Sequence, residues 1–278
     1  MRVIIGNGKV SRIIRSAGDV ILSHSDIEVR DVSAVNAMIS TFPKDTVVIN
    51  TASKINLEWC EDNKQEAFDV NTIGARNVGE ACARHGHHLV HISSGCIFDG
   101  METEKVFTEE DTPSPAAWYT HTKAEADKIL LESRYDKITI LRPRQLISAV
   151  PNPTNMLTKF LNMKEGDFFD SPNSIICIED MKEMIDHLVR RKCYGIYNLA
   201  NAGLTSPYKI ALKIKNEINT NFIVRKTSYE DYLKTLKVKR VNTILSIDKL
   251  VSTGFKQRNA EDALDWCLKN YDVKSEIV

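Results

Sequence analysis

The sequence predicts an α/β protein built on a Rossmann-like, doubly wound parallel sheet, with a smaller C-terminal lobe that binds substrate. Two observations lead to this fold class. Short apolar runs of strand character alternate with helical stretches through the first half of the chain, the order expected of successive βα units whose helices cover both sheet faces. The first of those runs passes directly into a glycine turn, Gly6-Asn7-Gly8-Lys9-Val10-Ser11, that opens a helix.

Taken in order, Val3-Ile4-Ile5 is a buried first strand, and the turn leads into a helix through Ala17. Val20 to Leu22 is a second strand. A helix from Ser33 to Phe42 precedes the strand Thr46 to Ile49, and one long helix from Lys64 to His85 feeds the strand His88 to Ser93. Ala116 to Ser133 reads as a helix and Lys137 to Leu141 as the next strand, so residues 1–150 form the dinucleotide-binding half. After Pro151-Asn152-Pro153 the pattern shortens. Helices at Thr154 to Met163 and Glu179 to Arg191 lead to an apolar strand at Tyr194 to Leu199, and helices follow at Pro207 to Glu217 and Ala260 to Asn270. Residues 151–278 are assigned mainly to the substrate lobe, with elements from 175–205 returning to the sheet. No repeat, low-complexity tract or Gly/Ser linker separates the halves.

At 278 residues the chain can bury roughly 75% of its unfolded surface, enough for one large α/β core or two joined lobes. Lys plus Arg and Asp plus Glu each number 37, so no global field draws nucleic acid or an anionic membrane, and neither is an expected partner. The six cysteines are scattered without a Cys-x-x-Cys pair, no apolar run has the length of a membrane span, and the chain opens on a strand-like segment; a reduced, cytoplasmic protein is expected.

Three motifs carry chemistry. Gly6-x-Gly8-x-x-Ser11, between a strand and a helix, is a dinucleotide fingerprint with Ser in place of the third glycine. The second strand ends in Ser23-His24-Ser25, where an NAD site often has a carboxylate for the ribose hydroxyls; Ser25 leaves room for a 2′-phosphate, so NADPH is expected over NADH. Finally, Ser93-Ser94-Gly95-Cys96 ends a strand, and the following helix carries Tyr119 and Lys123 four apart on one face. That pairing can place Ser94 and Tyr119 on one carbonyl oxygen, with Lys123 lowering the phenol's pKa. The histidines His85, His87, His88 and His91 span a helix end and a strand whose side chains alternate, so no metal is expected.

These residues resemble the extended short-chain dehydrogenase/reductases, and more narrowly the RmlD-like nucleotide-sugar 4-keto reductases of rhamnose synthesis. Asn50-Thr51-Ala52, Asn71, Phe98-Asp99-Gly100 and Leu141-Arg142-Pro143 look like that family's landmarks. Gly95-Cys96-Ile97-Phe98, where the dTDP-sugar reductases usually carry Asp-Tyr at the first two positions, is similar to the plant-type bifunctional UDP-4-keto-6-deoxyglucose 3,5-epimerase/4-reductases. So are Pro143 to Ser148, Asn152 to Asn155 and Gly195 to Leu199. Ser11 and His24-Ser25 depart from the family pattern.

The resemblance implies reduction by Ser94, Tyr119 and Lys123, and an epimerase acid/base pair of Cys96 and Lys159. The motifs and the resemblance together give expected cofactor contacts from Gly6, Asn7, Gly8, Lys9, Val10, Asn50, Thr51, Ala52, Asn71, Tyr119 and Lys123, with Ser25 added from the strand end alone, and expected substrate contacts from Ser94, Gly95 and Asn155, with Arg240 added from its basic run as a diphosphate contact. The expected substrate is a UDP-4-keto-6-deoxy sugar, the product a UDP-rhamnose-type sugar, and the assembly a homodimer. The alternatives are a monofunctional 4-keto-rhamnose reductase and a noncatalytic NADP-binding regulatory subunit of the same fold.

Overall fold

A computed structural model describes residues 1–100 and 105–271; residues 272–278, the end of the expected substrate lobe, lie outside those described. The core is a six-stranded, all-parallel sheet. Its strands in chain order are β1 (Arg2–Ile5), β2 (Val20–Leu22), β3 (Val47–Asn50), β4 (His88–Ile92), β5 (Ile138–Pro143) and β6 (Gly195–Leu199), and in space they run β2-β1-β3-β4-β5-β6. The chain leaves β1 toward one edge and β3 toward the other. The β1/β3 junction is therefore the topological switch point, where a crevice opens at the carboxyl ends of the strands.

Adjacent residues of each strand face opposite layers, and both layers are apolar. Val3, Ile5, Val48, Leu89 and Ile140 pack with Val35 and Ile39 of α2 (Val32–Ser40) and with Val78 and Cys82 of the helix Gly74–His85. Ile4, Ile49, Val90 and Leu141 pack on the other face with Ile14 of α1 (Lys9–Ile14) and with Met181, Ile185 and Leu188 of the helix Ile178–Arg190. The latter is strongly amphipathic, with Glu179 and Asp180 in its first turn and His187 and Arg190 in its last, each matching the helix dipole. Burying each large aliphatic side chain contributes about 2 kcal/mol, so a charge at Met181 would unseat that helix.

The expected single helix from Lys64 to His85 is instead interrupted: a helix Lys64–Phe68 passes through a π turn at Asp69–Ile73 before continuing. The π turn inserts a residue without ending the helix, which a periodicity scan does not register. A further helix, α3 (Leu57–Asp62), forms where Trp59-Cys60 reads only as packing residues. Glycine at position 86 is in the left-handed region (φ 75°) and closes the Gly74–His85 helix.

The second lobe has its own apolar core, in which Leu157, Phe168, Ile210, Ile214, Phe222 and Leu264 meet. The halves interlock: Ile244–Leu245 near the C-terminus pairs with Val106–Phe107 of the first half, and Gly195–Leu199 completes the sheet. No helix among the described residues is long and apolar enough to cross a membrane.

Candidate active site

Three segments build the site at the sheet's carboxyl edge: the glycine turn after β1, the loop after β4, and the start of the helix Trp118–Glu132, here called α4. Gly6 has φ 106°, and a Cβ there would lie 2.5 Å from Thr51 Oγ1 and 3.0 Å from Ala52 N, so the turn passes against the end of β3 as only glycine allows. Gly8 faces open space, with nothing within 4 Å of where a Cβ would stand. Ser11, in the third-glycine position, is fully buried and shares a 2.8 Å hydrogen bond with Thr51 Oγ1, while Thr51 Oγ1 lies 2.8 Å from Ile5 O as its donor. The serine thus fastens α1 to β3.

This turn suits an anionic dinucleotide. Lys9, at the start of α1, has its pKa brought down to about 8 by burial and by nearby Lys159, with Glu179 opposing; a buried cation so placed gains from a phosphate partner. Asn7 accepts from Arg12 Nε at 3.1 Å, and Val10 is half-buried against the lower core layer. Asn50 Oδ1 accepts from Ala52 N at 3.1 Å and shapes the exit of β3. Ser25 is exposed and bonded to Ser23 Oγ at 2.7 Å; beside it, Asp26 accepts from Ser23 N and Oγ and is held below the usual carboxylate range by those bonds, so a carboxylate does stand at this strand end.

Asn71 sits in the π turn, buried, with both ends of its amide engaged. Oδ1 accepts from Ser53 Oγ and Lys54 N, and Nδ2 donates to Lys54 O and Thr122 Oγ1. All four capacities are spent on protein, so its part is to clamp the β3 exit to α4 beneath Tyr119. The first residue of α4 is also anchored: Trp118 N donates to Glu61 Oε1 of α3 at 2.6 Å.

Ser94 and Tyr119 are neighbours, and Lys123 lies one turn further along α4. Ser94 caps a short 3₁₀ turn, its Oγ accepting from Cys96 N at 3.1 Å, and lies near enough to Tyr119 to lower its pKa in part. Lys123 is fully buried and donates to Ile92 O at 2.8 Å, at the end of β4. Burial lowers the ammonium to about 8, against a raising effect of Asp127. Against the expectation of an acidified phenol, burial and then the neighbouring Cys96 push Tyr119 up, and nearby Ser94 only partly offsets them, while Lys123 is turned toward a β4 carbonyl. A neutral phenol is a competent proton donor.

Behind the lysine lies a network that the sequence motifs do not reveal. Asp127, one turn beyond Lys123, pairs with buried Arg142 at 2.9 Å, and Arg142 also donates to Glu109 O. His91 stays neutral because burial, and then Lys123, hold it well below its ordinary value.

The remaining candidates separate. Cys96 is partly exposed beside Tyr119, and Arg144 Nη1 donates to its sulfur at 3.2 Å. Lys159 lies on the exposed side of the helix Met156–Leu161, near Lys9; among the described residues no hydrogen bond or ion pair joins it to Cys96, Ser94 or Tyr119. Asn155 is fully buried as the N-cap of that helix, donating to Ser148 O and Val150 O and accepting from Leu157 N, so it shapes the loop and has no surface for substrate. Gly95 is buried under Leu245, whose Cδ1 would be 2.7 Å from an added Cβ. Arg240 is half-exposed and ion-paired with Glu58 at 2.5 Å.

A parallel Rossmann-type sheet with Ser, Tyr and Lys at its carboxyl edge defines an extended short-chain dehydrogenase/reductase. More narrowly, the chain belongs to the RmlD family, whose substrate-binding-domain model matches residues 7–273. An Arabidopsis thaliana trifunctional UDP-glucose 4,6-dehydratase/UDP-4-keto-6-deoxy-D-glucose 3,5-epimerase/UDP-4-keto-L-rhamnose-reductase is 30% identical over 74% of this chain and 32% of its own length. A bifunctional dTDP-4-dehydrorhamnose 3,5-epimerase/reductase of the same plant is 29% identical over 70% of this chain and 66% of its own length. The chain therefore spans about a third of the trifunctional relative and under two thirds of the bifunctional one. The crystal structure of the L780 UDP-rhamnose synthase of Acanthamoeba polyphaga mimivirus superposes with TM-score 0.85 at 26% identity, covering 97% of this chain and 99% of that one. A Bacillus anthracis dTDP-4-dehydrorhamnose reductase solved with NADP shares the fold, with TM-score 0.86 at 23% identity over 96% and 98% of the two chains.

Proposed function

We propose that this chain is a nucleotide-sugar 3,5-epimerase/4-keto reductase that converts UDP-4-keto-6-deoxyglucose to UDP-rhamnose with NADPH. The observation that carries the reading is Cys96, a partly exposed thiol, beside the Ser94–Tyr119 pair, so that one sugar ketone can meet both sets of groups. The C4 carbonyl acidifies the protons on C3 and C5. Ser94 and Tyr119 hydrogen-bond its oxygen, first as an enolate and later as an alkoxide, each preorganised donor contributing on the order of 3 kcal/mol. Cys96 exchanges protons with the ring carbons, and Lys159 serves the opposite face once the sugar draws the Met156–Leu161 helix toward it. Gly6, Gly8 and Lys9 hold a nicotinamide dinucleotide at the switch point, which supplies the hydride when bound. Tyr119 then gives its proton to O4, and Lys123 supports the phenolate that is left.

The relatives' activities support this reading, and so does the cysteine's position. Incubation with UDP-4-keto-6-deoxyglucose and NADPH, followed at 340 nm and by identification of the sugar, tests it: cofactor consumption with a UDP-rhamnose product is expected, and no consumption would refute it. A second reading, a reductase acting on a ketone already epimerised elsewhere, is favoured by the exposure of Lys159 away from Cys96. Solvent-deuterium incorporation at C3 and C5 separates the two.

A further inference from the structure

Arg144 follows Pro143 at the end of β5 and is only 6% exposed. Nη1 donates to Cys96 Sγ at 3.2 Å and Nη2 to Val241 O at 2.6 Å, while Nε is buried with no hydrogen-bond partner among the described residues. Nor, among those residues, does a carboxylate pair with it. Arg142, two positions earlier on the same strand, shows the usual solution: its buried charge is met by Asp127 at 2.9 Å. Arg144 has a sulfur where Arg142 has a carboxylate.

We propose that Arg144 is the charge partner of Cys96: it fixes the sulfur toward the substrate and carries the counter-charge when that sulfur becomes negative during proton exchange. The proposal rests on the 3,5-epimerase reading for the reaction it serves. When sulfur acts as base, the C–H bond at the carbon beside the ketone breaks, an S–H bond forms, and the electron pair moves to the carbonyl oxygen between Ser94 and Tyr119. When sulfur acts as acid, the S–H proton returns to carbon and the charge is left facing the guanidinium.

Arginine suits this post. It does not give up its proton in a protein, so it steadies a negative sulfur without competing for the proton that must go to carbon. The cysteine loop lies against the strand end: a Cβ at Gly95 would stand in ordinary contact, 3.4 Å, with Arg144 Cβ, and only 2.7 Å from Leu245 Cδ1. The second donor, to Val241 O, fixes the guanidinium plane so that Nη1 stays on the sulfur. Tyr119 is near the same sulfur and is pushed up by it, so the sulfur's charge bears on both halves of the site.

The test is charge-selective alkylation of Cys96 in the full chain, read by peptide mass spectrometry. A guanidinium on the sulfur draws anionic iodoacetate over neutral iodoacetamide. The iodoacetate-to-iodoacetamide rate ratio at Cys96 is expected about tenfold above that of N-acetylcysteine, falling back about tenfold in Arg144→Gln and staying within about threefold of wild type in Arg144→Lys. A wild-type ratio no higher than that of the free thiol overturns the proposal, even if Arg144→Gln does not fold, and so does a folded Arg144→Gln protein that keeps the wild-type ratio. Deuterium exchange at C3 and C5 by a protein without this selectivity would remove the role of Arg144 alone. Selectivity without exchange would remove the epimerase reading on which that role rests.

Discussion

The trio proposed for reduction, Ser94, Tyr119 and Lys123, and the pair proposed for epimerisation, Cys96 and Lys159, are held in different ways. Ser94, Tyr119 and Lys123 sit on adjoining elements, and each is fastened by neighbours: Ser94 by its own 3₁₀ turn, Lys123 by Ile92 O, and the start of α4 by Glu61 and the Asn71 clamp. Cys96 and Lys159 are unlike each other. The cysteine is tied to a buried arginine, and the lysine stands exposed on a six-residue helix of the second lobe. The difference teaches that the groups proposed for reduction are held by the fold itself, whereas the two proposed for epimerisation are not joined by any hydrogen bond or ion pair among the described residues. Preorganised donors act without reorganisation cost, so the reductase half is the more sensitive to single atoms.

The strongest way to break this contrast is Tyr119→Phe, which removes the proton donor and one oxygen ligand while keeping the ring. NADPH oxidation with the 4-keto sugar is expected to fall by about 10³-fold. A loss under tenfold would show that another group protonates O4. Next comes a paired comparison. Cys96→Ala is expected to slow C3/C5 deuterium exchange by about 10²-fold or more, with a much smaller loss, under about tenfold, in reducing a pre-epimerised ketone. Lys159→Ala sharpens the picture: a comparable loss of exchange at either carbon means that the lobe closes on substrate, and unchanged exchange means that Cys96 works with a different partner.

How much of this was legible in the chain depends on sequence distance. The sheet, its helices and the Ser94/Tyr119/Lys123 site come from local signals, namely apolar periodicity, a glycine turn, and i,i+4 spacing on one helix. The Arg144 contact joins residues 48 positions apart and the Arg240–Glu58 pair joins residues 182 apart, and no periodicity encodes either. Asn155 and Asn71 look like site residues by their place in a motif, yet the amide of Asn155 is taken up by backbone groups and that of Asn71 by backbone and the Ser53 and Thr122 hydroxyls, a role that only the folded hydrogen bonds disclose. The short α3 helix was missed because six residues carry too little pattern, although it supplies the carboxylate that caps α4.

The buried lysine of the reductase trio gives a pH test. Its folded value of about 8 lies below the ordinary 10.5, so between those limits the unfolded chain binds more protons and stability rises with pH. Below that window both states are protonated and the desolvation cost is paid in full. Relative to Lys123→Met, the wild-type protein is expected to gain up to ~3 kcal/mol from pH 8 to pH 10.5 in urea unfolding. A flat difference would mean that the ammonium is solvated and that the trio is less enclosed than its hydrogen bonds indicate.

The smallest expected effect concerns the substrate side. Arg240, expected among the substrate contacts, has the charge to meet a sugar nucleotide's diphosphate, but its guanidinium is already paired with Glu58, and both side chains are roughly a third exposed. Such a pair contributes under about 1 kcal/mol to stability, so a dianionic ligand can displace the carboxylate at little cost. Glu58→Gln removes the competitor and leaves the arginine charged. KM for the nucleotide sugar is then expected to fall about two- to threefold with kcat unchanged and with Tm little altered, whereas Arg240→Ala should raise KM about tenfold. A Glu58→Gln enzyme with unchanged KM beside an Arg240→Ala enzyme with unchanged KM would place the diphosphate elsewhere, and would leave the ion pair as a strap between α3 and the C-terminal lobe.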